Sequence, residues 1–290
     1  MTALRQIEFM GPTVTSGLHH LRDLPNLTVF DAQCTFFPND ELPADMAHLT
    51  RLTRLSLLHT TIRDGWQHLL PLQQRLESLS LTTSSTAYGP MPAQLSSLTR
   101  LTSLTLYRTR PRWECMPPKL CSLAIGYRGT GGFRRISPSI SSLTDLRSLY
   151  IQYSAITDGW QHLPHQLEDL DINECAQSEV PARVSALTQL TRLSLSHNPI
   201  LDGWQHLRPL QRLRDIALVH CELTDVPWEL ASLTQLTSAD LACNPIRSGL
   251  QHLPVQLRYL DLSYCGLRGL SGLPGQLSHL TQLIQLDIKL

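Results

Sequence analysis

Lysine is almost missing from this chain. Of its 24 basic residues only Lys119 and Lys289 are lysines, and the rest are arginines. Arginine makes planar, stacked and bidentate contacts that lysine cannot, which suits protein recognition; codon usage explains the bias equally well. Net charge is missing too: 24 acidic residues balance the 24 basic ones. That removes the basic excess expected of a general nucleic-acid or anionic-membrane binder. No apolar run approaches the ~20 residues that span a bilayer. The opening MTALRQIEFMGPTVTSGLHHL has no apolar stretch long enough for a secretory signal. The seven cysteines are an odd number and include no C-x-x-C pair, which argues against zinc or thioredoxin-like chemistry and a fully paired disulfide framework. The chain therefore reads as soluble and cytoplasmic. Its 290 residues, 42% of them apolar, suffice for a substantial core.

What the chain has in abundance is leucine at fixed spacing. The unit L-x-x-L-x-L-x-x-N/C-x-L occurs as LTRLSLSHNPI from Leu190, LRDIALVHCEL from Leu213 and LRYLDLSYCGL from Leu257. Weaker copies start at Leu4, Leu27, Leu52, Leu76, Leu101, Leu120, Leu146, Leu167 and Leu236, and a truncated one at Leu283. Most starts lie 21 to 26 residues apart. The fourth and sixth positions alternate with polar residues as in a half-buried strand, so Leu193 and Leu195 point inward and Ser194 outward. One such unit cannot bury its own apolar face; stacked units share a core and form a parallel sheet.

This pattern resembles the leucine-rich repeat family, and the resemblance covers essentially residues 4–290. It implies one domain of about 13 repeats, an α/β solenoid: a horseshoe with a concave parallel β-sheet and short helices or 3₁₀ turns on the convex side. It also implies that the ninth-position side chains, Asn198 and Asn244 in some units and Cys175, Cys221 and Cys265 in others, turn inward and hydrogen-bond to the backbone. The phrasing L-T-x-L-x-x-L is similar to cytosolic and cytoskeletal arrays of plants and algae. The segment GPMPAQL from Gly89 resembles the plant extracellular repeat G-x-I-P-x-x-L.

The second halves of the units come in two forms. One is I-x-D-G-W-Q-H-L, at 62–69, 156–163 and 200–207, with relatives at 17–21 and 249–253. Here Asp64, Asp158 and Asp202 are expected to cap a short helical turn, with Trp66, Trp160 and Trp204 facing the core. The other is V-P-x-x-L-x-x-L-T-x-L, in which Pro43, Pro92, Pro181, Pro227 and Pro274 suit the first turn of a short helix.

No pattern carries catalytic chemistry. His68, His162, His206 and His252 recur in Gln-His-Leu, but successive copies lie two layers, or about 10 Å, apart, too far to share one ion. The Gly-rich segment 126–135 lacks the Lys-Ser/Thr ending of a phosphate cradle. It reads as an insertion in a region, 108–135, where a 19-residue unit meets a 26-residue one. Neither a nucleophile with a base nor a paired-carboxylate site is evident. No enzyme activity, metal or cofactor is expected.

The outward strand positions are the family's usual recognition surface. From the repeat phase, the partner-binding candidates are Tyr107, Arg108, Tyr127, Arg147, Tyr150 and Tyr153, beside the acidic Glu168, Asp169, Asp171 and Glu174. Tyrosine and arginine next to acidic groups suit an interaction hot spot. A second patch holds Arg258, Tyr259, Asp261 and Tyr264, near Asp240 and Asp287. The expected function is a non-catalytic scaffold that binds a protein, not a nucleic acid. The alternatives are the sensor region of a receptor or immune-type protein, and a regulatory subunit that holds a phosphatase or ubiquitin ligase. Because the chain ends within the strand LDIKL and leaves a sheet edge open, a piece of a longer protein is the expectation.

Overall fold

The structure is a computed structural model that describes residues 3–11, 18–35, 37–60, 62–82, 91–127, 132–266 and 273–289. The chain divides into two compact units. The first comprises Met1–Gly132 with Ser139–Leu146, and the second Phe133–Pro138 with Arg147–Leu290.

Each unit is a parallel sheet on one side and a series of 3₁₀ turns on the other. The first holds β1 (Gln6–Met10), β2 (Val29–Gln33), β3 (Arg54–Leu57), β4 (Ser78–Thr82), β5 (Ser103–Tyr107) and β6 (Ser122–Gly126). The second holds β7 (Ser148–Gln152), β8 (Asp169–Asp171), β9 (Arg192–Ser194), β10 (Asp215–Ala217), β11 (Ser238–Asp240), β12 (Tyr259–Asp261) and β13 (Gln285–Asp287). Within each unit every strand pairs in parallel with its neighbour in sequence. Every strand begins two residues after one of the thirteen leucine starts. That constant offset puts equal positions of successive units side by side. Leu55, Leu79, Leu104 and Leu123 form one buried row, and Leu149, Leu170 and Leu193 another. Burying each such leucine is worth about 1.5–3 kcal/mol, but only when a neighbouring unit covers it.

After the strand the backbone turns through a left-handed residue. Cys34, His59, Arg108, Tyr153, Glu174, His197, His220, Cys243 and Tyr264, all at the eighth position, have φ between 49° and 61°. This turn aims the ninth side chain into the core. There Cys175, Asn198, Cys221, Asn244 and Cys265 form a hydrogen-bonded ladder through the second unit. The Asn198 carboxamide accepts from the backbone N–H groups of Cys175 and Gln177 and donates to the Ile172 carbonyl, each at 2.7–3.0 Å. The Cys175, Cys221 and Cys265 thiols donate to the carbonyls of Ile151, Leu195 and Leu241 at 3.2–3.3 Å. Burial pushes the Cys175 and Cys221 thiols up to about 12.

The returning turns depart from expectation in two details. In the D-G-W form the cap residue is the glycine, not the aspartate. Gly65, Gly159 and Gly203 hold the left-handed cap position, and no side chain caps the turn. The preceding aspartates Asp64, Asp158 and Asp202 instead accept the glycine N–H at 2.6–2.8 Å. Their backbones bridge to the previous unit at Glu41, Arg135 and Glu179. Glycine is required there: at Gly203 a Cβ would lie 2.7 Å from the Val180 carbonyl oxygen. In the V-P form, Pro43, Pro92, Pro181 and Pro227 occupy the cap position, one residue before the turn, because their extended ψ of 127–137° cannot continue it. Pro274 instead falls inside α1, the short α-helix Leu273–Leu277. Trp66 is buried, but Trp160 and Trp204 are partly exposed; the leucines three residues on, Leu69, Leu163 and Leu207, are buried.

Candidate functional site

The third, fifth and seventh positions of each strand face away from the core, so register alone determines which side chains meet on the open sheet face. In the second unit the third-position row runs Ser148, Asp169, Arg192, Asp215, Ser238, Tyr259 and Gln285. The fifth-position row runs Tyr150, Asp171, Ser194, Ala217, Asp240, Asp261 and Asp287.

Asp169 is the junction of the first patch. Its Oδ2 accepts the Tyr150 hydroxyl at 2.8 Å and lies 3.3 Å from the Arg192 guanidinium. The Asp169 side chain is only 13% exposed, whereas that of Arg192 is 62% exposed. The pair thus presents a cation at the surface over a partly sunken carboxylate. Beside it, Arg147 and Glu168 form a looser pair at 3.6 Å, both well exposed. Asp171 accepts from Gln152 at 3.3 Å and from the backbone N–H of Asn173 at 3.0 Å, and Ser194 donates to Asn173 at 2.8 Å. Burial raises the Asp171 carboxyl above its ordinary range. Desolvation, aided by the Asp169 carboxylate, raises the Tyr150 phenol. The patch is a pre-ordered network across β7, β8 and β9. It can present hydrogen-bonding and charged groups in fixed places, and it lacks the nucleophile–base arrangement of a catalytic site.

The ten residues of the main candidate patch divide between the units. Arg147, Tyr150, Tyr153, Glu168, Asp169, Asp171 and Glu174 belong to the second, where the network above joins Arg147 to Glu168 and Tyr150 to Asp169. Tyr153 and Glu174 stand at the left-handed turn on the strand ends, Tyr153 partly exposed and Glu174 exposed. Tyr107, Arg108 and Tyr127 belong to the first unit. Tyr107 is 36% exposed and lies over Gly126, where any Cβ would collide with its ring.

Tyr127 corrects the sequence reading. It is fully buried and presents nothing to a partner. It occupies the eighth position of the 26-residue unit at Leu120, where nine other units carry an exposed or partly exposed left-handed residue. Residues 128–131 of the irregular segment lie outside the described residues, as do Gly17 and Gly89 of the motifs above. The reverse omission is Arg192, which completes the Asp169 pair. It sits at the third position of the unit at Leu190, so the repeat phase alone marks it as outward.

The second patch is more acidic than its tyrosines suggest. Asp240, Asp261 and Asp287 stand side by side on β11, β12 and β13. The Tyr259 hydroxyl donates to Asp287 at 3.1 Å and lies 3.4 Å from Asp261. Burial, reinforced by these carboxylates, pushes the Tyr259 phenol up to about 12. Tyr264 is 57% exposed at the strand end, and Arg258 is exposed. Of the recurrent histidines, His252 shares a hydrogen bond with the Val226 carbonyl at 2.9 Å, and His68 lies 4.0 Å from Glu41. Among the described residues no group of three or more histidines, cysteines or acids could hold a metal ion, and no helix is long and apolar enough to cross a membrane.

One short parallel strand per unit, a 3₁₀ return, and an inward Asn/Cys ladder at the ninth position define a leucine-rich repeat solenoid. The fold is that of leucine-rich repeat proteins, and the Leucine Rich Repeat family model matches residues 256–280. No curated protein matches the chain in sequence. Among solved structures it is similar to an internalin from Listeria monocytogenes, at 20% identity and a TM-score of 0.62, covering 98% of this chain and 87% of that one. It is also similar to a leucine-rich repeat protein of Leptospira interrogans, at 20% identity and a TM-score of 0.61, over 95% of this chain and 77% of that one. A third likeness is to TLR13 in complex with the RNA ssRNA13, at 20% identity and a TM-score of 0.67. That match covers 91% of this chain but only 43% of the TLR13 chain. At these identities the likeness is one of fold.

Proposed function

We propose that the chain is a non-catalytic scaffold that holds a protein partner on the sheet face of its second unit, centred on Tyr150, Asp169 and Arg192. The observation that carries this reading is the network joining these residues across three adjacent strands, with the exposed Arg147–Glu168 pair beside it. Tyrosine and arginine held in place by neighbours lose little conformational entropy on binding, which is why such residues dominate protein interfaces. The partner carries basic groups toward Asp171, Asp240, Asp261 and Asp287, and acidic groups toward Arg147 and Arg192. The same acidic row disfavours phosphate, so the RNA bound by TLR13 does not carry over as a ligand class here. Cytoplasmic residence is part of the proposal. All seven cysteines are free thiols, which suits a reducing compartment. A sensor role or a regulatory-subunit role would use the same face and differ only in the partner held.

The test is affinity capture with the full chain, followed by titration of the captured protein. Changing Arg147 and Tyr150 together to Ala is expected to weaken binding at least tenfold, or about 1.4 kcal/mol, with little change in the melting curve. Unchanged affinity would remove the patch from the interface.

A further inference from the structure

A cavity of about 670 Å³ opens on the turn side of the second unit, away from the sheet face. Its walls include Ile156, Trp160, Gln177, Glu179, Ala182 and Arg183. Its volume falls in the range of roughly 300–1,000 Å³ typical of small-molecule sites.

The repeat itself shows why the cavity is here. The next pair of units, built on Trp204, is the internal control. Between Leu207 and Leu213 lie five residues, but between the equivalent Leu163 and Leu167 only three, so the turn after Trp160 is shorter. Across from it, Ala182 stands where the next pair has Trp228, whose ring lies 4.9 Å from the Arg208 guanidinium. Arg208 belongs to the stretch that is shortened after Trp160. Thus an indole and a guanidinium that fill the surface in one pair are both absent from the other. Two further exchanges change the chemistry of the walls. Gln177 replaces the buried Leu223, and Arg183 replaces the buried Glu229.

The walls carry complementary, unspent charge. Arg183 donates through one Nη2 hydrogen bond, to the Leu163 carbonyl at 2.9 Å, which pins the guanidinium. Its buried Nε has no acceptor among the described residues. Neither Arg183 nor Glu179 forms an ion pair among the described residues. The Nη1 group makes no hydrogen bond among the described residues, and such a guanidinium donor suits an anion, because charge-assisted hydrogen bonds are the strong ones. Glu179, four residues earlier, supplies the opposite charge, and the partly exposed Trp160 indole and Ile156 supply an apolar wall. Gln177 is held rigid by its donation to the Ile156 and Cys175 carbonyls, both at 2.7 Å.

We propose that this cavity binds a small zwitterion with a flat apolar side chain, an aromatic amino acid in class. The carboxylate is held by Arg183, the ammonium group faces Glu179, and the ring lies against Trp160. The site is independent of the protein-binding face, so either can fail without the other.

The experiment titrates the full chain with L-phenylalanine by calorimetry, with 2-phenylethylamine and 3-phenylpropionate as probes lacking one charge. L-phenylalanine is expected to bind. The amine, without its carboxylate, should bind at least tenfold more weakly, and the phenylpropionate several-fold more weakly. Arg183→Met should abolish L-phenylalanine binding. Ala182→Trp, which restores the residue of the next pair, should do the same with an unchanged far-ultraviolet spectrum. If Ala182→Trp does not fold, Arg183→Met alone decides. No binding of L-phenylalanine at 10 mM, equal binding of the amine, or undiminished binding by Arg183→Met would each overturn the proposal.

Discussion

Asn198→Ala is the most informative single change to the ladder, because the structure specifies what each atom of that side chain does. Oδ1 accepts two backbone N–H groups of the preceding unit, from Cys175 and Gln177. Nδ2 donates to three carbonyls, of Ile172, Leu195 and Ser196. Leu195 and Ser196 keep other donors, from the Cys221 thiol and the Glu174 N–H. The alanine variant therefore orphans two buried N–H groups and weakens one carbonyl. At about 1–3 kcal/mol for each orphaned buried group, the loss is about 2–6 kcal/mol, a large part of the roughly 5–15 kcal/mol that stabilises a typical domain.

A second substitution separates hydrogen-bond accounting from mere loss of volume. The ninth position alternates Cys175, Asn198, Cys221, Asn244, Cys265, and the reason lies one residue pair away. In units of the D-G-W form the eleventh-position N–H is satisfied locally: Ile156, Ile200 and Ile246 donate to Ser154, Asn198 and Asn244 at 2.7–2.8 Å. Only the ninth-position N–H then needs an acceptor from the next unit, and a cysteine sulfur supplies one: Cys175 receives Ser154, Cys221 receives Asn198 and Cys265 receives Asn244. In units of the V-P form both N–H groups need an acceptor. Cys175 and Gln177 donate to Asn198, and Cys221 and Leu223 donate to Asn244. Asn198→Cys should thus cost about 1–3 kcal/mol, the penalty for one orphaned donor, and clearly less than Asn198→Ala. Urea unfolding followed by circular dichroism reads both. Equal losses for the two variants, or a loss below about 1 kcal/mol for the alanine, would refute the accounting.

Three further outcomes are expected. Burial leaves Cys175 and Cys221 titrating at about 12 against an ordinary 9.0, so at pH 8 they hold about a thousandfold less thiolate than a free cysteine. Iodoacetamide should label the exposed Cys34 and Cys121 first, and mass spectrometry showing early labelling of Cys175 would contradict this. Gly203→Ala forces a left-handed alanine against the Val180 backbone and should lose about 2 kcal/mol or more; a neutral melting temperature would show that the turn can relax. Burial raises the Asp171 and Asp240 carboxyls above the ordinary 3.8. From about that pH upward the folded chain retains protons that the unfolded chain has released, so these groups make stability fall as pH rises through the window. Asp171→Asn should flatten that fall across pH 4–7 and raise the urea midpoint at pH 7; an unchanged slope would contradict the sign.

The repeat was legible because it states the physics directly. A leucine at the first, fourth and sixth positions is what a strand sharing its core with two neighbours requires, and the strands follow those leucines at a constant offset. The outward rows follow from the same phase, which is why Tyr150, Asp169 and Asp171 fall together on the sheet face, and why Arg192 could have been read from its position. What the phase does not contain is backbone conformation. Asp64, Asp158 and Asp202 have the composition of helix caps, yet the close approach of the previous unit reserves the cap for glycine. Tyr127 has the spacing of an outward residue but is buried, and it sits in a unit stretched to 26 residues, directly after the 19-residue one. The identity of the ninth residue was visible, but its alternation became intelligible only once each buried N–H had been followed to its acceptor.

The same reasoning bears on where function can reside. The core rows and the ladder must repeat, because each residue there serves the backbone of the unit before it; variation at those positions costs stability. The sheet face and the turn surface carry no such obligation. On the sheet face, the Tyr150–Asp169–Arg192 group is not repeated as a whole: Asp215 matches Asp169, but Ser194 and Ala217 stand at the position of Tyr150 and Ser238 at that of Arg192. On the turn side, Gln177, Ala182 and Arg183 depart together from Leu223, Trp228 and Glu229 of the next pair. Departures that cluster in space in this way are what the two proposals above rest on. Both clusters lie in the second unit, within the stretch from Arg147 to Arg192, and a search for ligands is best aimed there.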